Sequence, residues 1–153
     1  MLLEGSCHCG AVRFSHQSQT PQPYMHCHCS ICRKTAGGGG YAINLAGDAA
    51  SHKVVGKENV TVYRAVKGGS DRHFCKVCGS ALWAWDERWP DLIHAFASAI
   101  DTPLPKPPEI ADIMLEFAPS WIDVPDGQGH VLFDQYPDAS LADWHEQRGL
   151  TVE

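Results

Sequence analysis

The seven cysteines of this chain fall into short patterns that are typical of metal ligands. Cys7 and Cys9 form a C-x-C pair, and Cys75 and Cys78 form a C-x-x-C pair; together they are called the four-cysteine cluster. Alternate side chains of a strand share a face, so we expect the sulfurs of Cys7 and Cys9 to point the same way. Four thiolates fill the tetrahedral coordination of zinc. The two pairs therefore predict a structural zinc that joins the N-terminal strand to the middle of the chain.

A denser group, Cys27, Cys29 and Cys32, offers three thiolates to a second zinc and is called the three-cysteine cluster. Three protein ligands leave one coordination position open, and an open position is where a catalytic zinc binds its substrate. The ring of His26 or His28 would close this position and make the site structural. In a regular strand each histidine faces away from the neighbouring cysteine, so we expect both to be surface groups or groups that support the ligands.

A zinc held by three thiolates is a soft centre that favours the capture of a further thiol as thiolate. Arg33 is the candidate to hold a carboxylate of the substrate, because its guanidinium matches carboxylate geometry. We expect Lys34 to be a solvated surface charge. The glycine run at residues 37–40 would let a substrate approach the backbone, or it is simply a tight entry to a strand. It is not followed by Gly-Lys-Ser/Thr, which excludes a phosphate loop.

Short apolar or alternating stretches, separated by glycine and proline, predict a mainly β domain. The expected strands cover residues 11–14, 41–45, 60–63, 80–85, 92–96 and 113–117. Because of the prolines at 103, 105, 107 and 108, the loop between the last two strands cannot be helical throughout. We expect zinc to tie together loops that so small a sheet would not hold by burial alone.

Only the end of the chain predicts a helix, over residues 140–148. Ser140 and Asp143 form a variant of the capping box, in which side chain and backbone exchange hydrogen bonds at the helix start. Trp144 contributes to a short apolar face, and Gly149 is suited to end the helix.

Composition limits the classes of function. With 153 residues, 44% hydrophobic and 20% charged, the chain predicts one globular domain with one core. No apolar stretch reaches the roughly 20 residues of a membrane span, and a signal peptide does not fit before Cys7. Unpaired cysteines at ligand spacing are typical of a cytoplasmic metalloprotein. The net charge of −6 argues against a nucleic-acid partner.

Three sequence blocks carry a resemblance to a known family: residues 5–12 (GSCHCGAV), 27–34 (CHCSICRK) and 74–80 (FCKVCGS). Their order and all seven cysteines resemble the glutathione-dependent formaldehyde-activating enzyme and centromere protein V family, over about residues 3–125. The chain departs from the family pattern at residues 109–113 (EIADI), where many members carry a His-Ile pair.

The resemblance implies a zinc-stapled β-tent of short antiparallel strands, as a single domain over residues 1–153 with a C-terminal extension after the core. It assigns the structural zinc to the four-cysteine cluster and the catalytic zinc to the three-cysteine cluster. The implied activity is that of a carbon–sulfur lyase. In reverse this reaction joins glutathione and formaldehyde into S-hydroxymethylglutathione.

Two hypotheses of function follow. The first is a cytoplasmic zinc enzyme that acts on a small-molecule thiol adduct, with no nucleic-acid or membrane partner and with a homo-oligomer left open. The alternative is a non-catalytic protein-interaction module with two structural zincs. A histidine as fourth ligand of the second zinc would favour the module, whereas water or an exogenous thiol would favour the enzyme.

Several residues near the predicted ligands are candidates for further roles. His26, His28 and His73 are candidate proton donors because each is close in sequence to a zinc ligand. Trp83, Trp85 and Trp89 are expected in the core or in the wall of a cleft, with an aromatic lid over the open zinc as the alternative.

Overall fold

The computed structural model describes residues 1–19, 21–127 and 129–150. Its strands are β1 (Leu2–Ser6), β2 (Arg13–Gln17), β3 (Tyr24–Cys27), β4 (Ala42–Asp48), β5 (Lys53–Val55), β6 (Val60–Arg64), β7 (Asp71–Cys75), β8 (Ala81–Trp85), β9 (Leu92–Phe96), β10 (Ile110–Ile113) and β11 (His130–Leu132). A small sheet has the order β1-β2-β5, and a large sheet has the order β11-β10-β3-β4-β9-β8-β7-β6. The mainly β class predicted from the sequence is confirmed.

Strand pairing is antiparallel except around β10, which runs parallel to both β3 and β11. The parallel register places Asp112 of β10 beside His26 of β3. Neighbouring strands β6, β7 and β8 form a meander, in which Arg72 of β7 pairs with Ala84 of β8. The parallel pairing brings β10 next to the end of β3, where the three-cysteine cluster begins.

The two faces of the large sheet pack into different clusters, because successive strand residues point to opposite sides. On one face Trp83 packs with Phe14 of the small sheet and with the buried Cys7 and Cys75. On the other face its neighbour Ala84 belongs to a cluster that includes the buried Cys27 and Cys32, together with Ala42, Phe96, Ala111 and Ile113. Each cysteine cluster thus lies against its own part of the core.

The predicted C-terminal helix is confirmed as α2 (Leu141–Gln147), with the reciprocal capping box of Ser140 and Asp143 in place. A second helix, α1 (Ser30–Ala36), was not predicted. It buries a single residue, Cys32, so the sequence carries no apolar stripe of helical period there. Within the described part of the chain, no helix has the length and apolar character needed to cross a membrane.

Two local predictions were wrong. Residues 113–117 do not form a strand: β10 ends at Ile113, Met114 adopts a left-handed conformation with φ 60°, and a 3₁₀ turn covers Leu115–Phe117. Cys7 and Cys9 follow β1 in a turn, so strand alternation is not what brings their sulfurs together. The strand expected at residues 11–14 begins two residues later, as β2.

Candidate metal centres and active site

The four-cysteine cluster joins two turns from different sheets. Cys7 follows β1 and Cys9 lies in the next turn, while Cys75 ends β7 and Cys78 lies in the turn after it. The four sulfurs lie within 4.8 Å of one another, with 3.5 Å between Cys7 and Cys9 and 3.8 Å between Cys9 and Cys75. A metal ion at this point would connect the small sheet to the large one.

Backbone hydrogen bonds shape the second of these turns. The Cys75 amide donates to the Ser80 carbonyl at 2.9 Å, and the Gly79 amide donates to the Cys75 carbonyl at 2.7 Å. Gly79 has φ 77°, which glycine adopts without strain. The His8 amide donates to Ser80 Oγ at 3.1 Å and so connects the two turns. Hydrogen bonding from Ser80 also lowers the pKa of Cys78 to about 5.

The three-cysteine cluster lies where β3 passes into α1. Cys27 is the last residue of β3, Cys29 is the N-cap of α1, and Cys32 lies in its first turn. The Cys32 amide donates to Sγ of Cys29 at 3.3 Å, so the helix start fixes one sulfur. All three sulfurs lie within 4.8 Å of one another. Cys27 and Cys32 are buried and Cys29 is half-buried, which leaves one side of the group accessible.

These three sulfurs compete for protons. Hydrogen bonding from Cys27, with a further hydrogen bond from Cys32, lowers the pKa of Cys29 to about 2. The same contact with Cys29 raises the pKa of Cys27. One thiolate is therefore stabilised by two neighbouring thiols. Three thiolates at this spacing repel one another, and a bound metal cation is what would allow all of them to ionise.

A buried arginine lies beside this group and was missed by sequence reasoning. Nη2 of Arg72 is 3.2 Å from Sγ of Cys32, and Arg72 is only 7% exposed. The guanidinium helps to offset the negative charge that three thiolates leave on a bound zinc. Sequence reasoning singled out the neighbouring Arg33 instead, as the group that holds a substrate carboxylate.

The buried carboxylate of Asp112 lies next to the three-cysteine cluster and is surrounded by histidine side chains. It is 1% exposed, and its carboxylate accepts hydrogen bonds from Nε2 of His28 at 3.0 Å and Nδ1 of His130 at 2.7 Å. Nδ1 of His26 lies 3.6 Å away. Of the two positions expected for His26 and His28, at the surface or in support of the ligands, the surface is excluded because both are buried. His28 lies between Cys27 and Cys29, so Asp112 holds the chain that carries these two sulfurs.

Arg33, the predicted carboxylate ligand, lines a cleft of about 680 Å³ between α1 and the four-cysteine cluster. Its Nε is buried and makes no hydrogen bond to the described residues. Lys34 is exposed on the same cleft, as expected of a solvated charge. Cys7 and Ser80 form part of the opposite wall. Two cations therefore lie at one side of a polar cleft beside the helix that holds Cys32.

The remaining candidates, His73 and the three tryptophans, do not lie together at the three-cysteine cluster. His73 stacks on Trp83 with ring centroids 4.9 Å apart, on the face of the large sheet opposite to that of Arg72. It therefore does not face the three-cysteine cluster and is excluded as its proton donor. Trp83 is buried and Trp85 is partly buried in the same core, whereas Trp89 is 42% exposed.

The described residues thus form a mainly β fold with two cysteine clusters that could each hold a metal ion. Residues 2–116 match the family described as glutathione-dependent formaldehyde-activating enzyme. The chain belongs to this family, and the resemblance seen in its three sequence blocks is confirmed.

Two relatives support this assignment. A protein of Halomonas elongata named "Putative glutathione-dependent formaldehyde-activating enzyme" is 55% identical over 154 aligned positions, which cover 98% of each chain. A crystal structure of a Rhodobacter sphaeroides protein is similar at 27% identity, with a TM-score of 0.57. That similarity covers 67% of this chain and 91% of the other.

Proposed function

We propose that this protein is a cytoplasmic zinc enzyme of the carbon–sulfur lyase type, which joins glutathione to formaldehyde and cleaves the adduct in the reverse direction. One observation carries the proposal. Among the described residues, the three-cysteine cluster is a group of three sulfurs that no histidine or carboxylate ligand atom joins within the same 4.8 Å. A site with three protein ligands favours an enzyme over the module with two structural zincs.

The residues present fit zinc. Thiolate sulfur is a ligand that zinc prefers, and both groups bring their sulfurs close enough to share one ion. The four-cysteine cluster supplies a full ligand set and joins two sheets, which is what a structural site requires. In the three-cysteine cluster, zinc would supply a Lewis acid that holds an incoming thiol as thiolate.

The protein's own residues would prepare the second site. The backbone at the start of α1 fixes the sulfur of Cys29, and Arg72 provides a buried positive charge beside Cys32. Asp112 holds the ring of His28 and, with it, the chain between Cys27 and Cys29. These contacts fix the sulfurs before the substrate binds, so little reorganisation remains when it arrives.

The substrate assignment is supported by the name of the Halomonas relative and by the cleft beside α1. Glutathione carries two carboxylates, and Arg33 and Lys34 line the same side of this cleft. The buried Nε of Arg33, which lacks a partner among the described residues, is suited to donate to one carboxylate. Binding there would position the peptide while its sulfur reaches the open site.

The test compares two peptides that differ only in the free thiol. Glutathione at about 100 times its dissociation constant should stabilise the zinc-loaded protein by roughly 2.7 kcal/mol, a melting shift of about 8 °C for this size. S-methylglutathione should give no such shift, and Cys32→Ser should abolish the response to glutathione. Consumption of formaldehyde in the presence of glutathione then measures the reaction itself.

The other outcomes are also informative. Equal shifts with both peptides would mean that the carboxylates alone are bound, and the thiol-binding mechanism would be wrong. If neither peptide shifts the melting temperature, glutathione is not the ligand. A histidine found as the fourth ligand by absorption spectroscopy at the zinc edge would favour the interaction module instead.

A further inference from the structure

The side chain of Asp112 uses its two oxygens for two different histidines. Oδ1 lies 3.0 Å from Nε2 of His28, and Oδ2 lies 2.7 Å from Nδ1 of His130. Asp112 is 1% exposed, so bulk water does not compete for either bond. A carboxylate held at both oxygens has a fixed orientation, whereas a carboxylate held at one oxygen turns readily about its last bond.

The first of these histidines belongs to the segment that carries two of the three sulfurs. His28 separates Cys27 from Cys29 in the chain. Its amide donates to the Ile113 carbonyl at 3.0 Å and its ring donates to Asp112, so β10 holds both the backbone and the side chain of His28. A change in the orientation of the Asp112 carboxylate would therefore loosen the segment between the two cysteines.

The second histidine, His130, comes from a later part of the chain. Strand β11 lies parallel beside β10, and the register pairs Ile110 with His130 and Asp112 with Leu132. The Phe133 amide donates to the Asp112 carbonyl at 2.9 Å, so β11 holds the backbone of Asp112 as well as its side chain. The residues that match the family end at position 116, and His130 lies beyond that match.

We propose that His130 is a positioning residue of the three-cysteine cluster: it fixes the Asp112 carboxylate, which in turn fixes His28 and the cysteines on either side of it. This inference rests on the part of the proposed function in which the cluster binds zinc, and it does not depend on the substrate. His130 is not itself a ligand, since no histidine atom of the described residues joins the three sulfurs within 4.8 Å.

Loss of the His130 ring would act through Oδ2 of Asp112, which would lose its hydrogen bond. A buried acceptor without a donor is costly, so the carboxylate would turn or draw in a water molecule, and either change weakens its bond to His28. Groups that orient metal ligands from behind contribute about 10- to 100-fold to metal affinity. The effect should be confined to the three-cysteine cluster, because Cys7 and Cys75 of the other cluster pack in a separate part of the core.

Three substitutions at this one position separate the hydrogen bond from packing. The amide nitrogen of asparagine is the same number of bonds from the backbone as Nδ1 of histidine, whereas that of glutamine is one bond further away. His130→Asn should therefore keep the wild-type affinity for the second zinc, and His130→Gln and His130→Ala should lower it about 10- to 100-fold. Competition with a chelator of known affinity measures the change. The second zinc is identified as the one that Cys29→Ser lacks.

His145→Ala is the matched control. His145 also lies near the C-terminal end of the described chain, and its Nε2 donates to the Gln22 carbonyl at 2.6 Å. The substitution thus removes another hydrogen bond between distant segments, but one that ends at Gln22 rather than at Asp112. It should lower the free energy of unfolding in urea and leave the affinity for the second zinc unchanged.

Three results would overturn the inference. Wild-type zinc affinity in both His130→Gln and His130→Ala would show that the bond to Asp112 has no effect on the cluster. An equal loss in His130→Asn would show that the ring fills space rather than donating. A loss as large in His145→Ala would show that any loosening of the C-terminal part is enough. If His130→Ala does not fold, the comparison of asparagine with glutamine decides alone.

These measurements use zinc alone, so their outcome is separate from that of the proposed function. If the wild type binds the second zinc but makes no adduct from glutathione and formaldehyde, the proposed function fails and the zinc affinities still decide the role of His130. If the adduct forms and all variants bind the second zinc equally, the proposed function stands and the inference fails. A wild type that binds only the zinc of the four-cysteine cluster would overturn both.

Discussion

The Nη2 atom of Arg72 lies 3.2 Å from Sγ of Cys32, and both side chains are buried. The two residues are 40 positions apart in the chain, Arg72 on β7 and Cys32 in the first turn of α1. A buried guanidinium needs a negative partner, since burial of an isolated charge is costly. The contact is therefore favourable when the cysteines of this cluster are thiolates, as they would be with a metal bound.

Arg72→Met should weaken zinc binding at the three-cysteine cluster by 10- to 100-fold, the range seen when groups that support metal ligands are lost. The protein should stay folded, because methionine fills much of the same volume. Competition with a chelator of known affinity measures the change. Arg64→Met is the control, since Arg64 pairs with Asp71 on the same hairpin but at a partly exposed site. Equal effects of the two substitutions would show that Arg72 has no specific role at the cluster.

Cys75→Ser and Cys29→Ser should behave differently. Cys75 is fully buried in the core and belongs to the cluster that joins the two sheets, so its loss should unfold or aggregate the protein. Cys29 is half-buried at the accessible group, and its serine variant should be folded, inactive and bound to one zinc. Circular dichroism and metal analysis distinguish the two cases. Comparable unfolding of both variants would mean that the three-cysteine cluster is also structural.

The metal ligands could be proposed from sequence because each set is built from pairs or a triplet of cysteines that are close neighbours in the chain, although Cys9 and Cys75 of the four-cysteine cluster are 66 positions apart. The spacing of Cys27, Cys29 and Cys32 reflects a single strand-to-helix turn, which local geometry determines. The cap of α2 is local in the same way, since Ser140 and Asp143 are three residues apart. Patterns of this kind do not depend on the path of the rest of the chain.

The surroundings of the site could not be predicted, because they depend on contacts between residues that are far apart in the chain. Asp112 meets His28 across 84 positions, and this contact requires the parallel pairing of β10 with β3. Parallel neighbours leave no turn signal in the sequence, because the connecting chain is long. α1 was missed since only Cys32 is buried, and its burial reflects the cysteine group rather than an apolar helix face.

Gly47→Ala should destabilise the protein, because the strand β4 passes directly over the ring of His16. A methyl group at this position would overlap Cδ2 of His16, and His16 is fully buried and has no room to move. The cost of such overpacking is about 1–3 kcal/mol. Gly38→Ala is the control, since a methyl group there meets no atom within 4 Å. Urea unfolding measures both, and equal stability of the two variants would show that the core rearranges around His16.

Stability should fall as the pH is lowered through the range in which buried histidines titrate. Burial lowers the pKa of His16 and of His52 to about 4, from 6.5 in the unfolded chain. The two rings lie 5.5 Å apart beside Phe14. The negative charge of Asp48 partly offsets this effect by raising the pKa of His16. The positive charges of His73 and Lys57 lower the pKa of His52 further. Between pH 6.5 and 4 the unfolded chain binds more protons than the folded one. The stability from these neutral rings is therefore complete above pH 6.5 and is lost as the pH falls towards 4.

His52→Phe isolates the contribution of one ring, because phenylalanine keeps an aromatic group between Phe14 and Trp83 and does not titrate. The free energy of unfolding, measured from pH 7 to pH 4.5, should fall less steeply in this variant than in wild type. The difference stays below about 1.4 kcal/mol per pH unit, because solvent screens the partly exposed ring. Protonation of the cysteine groups at low pH affects both proteins alike and cancels in the comparison. Identical slopes would show that His52 is already protonated, or titrates normally, in the folded protein.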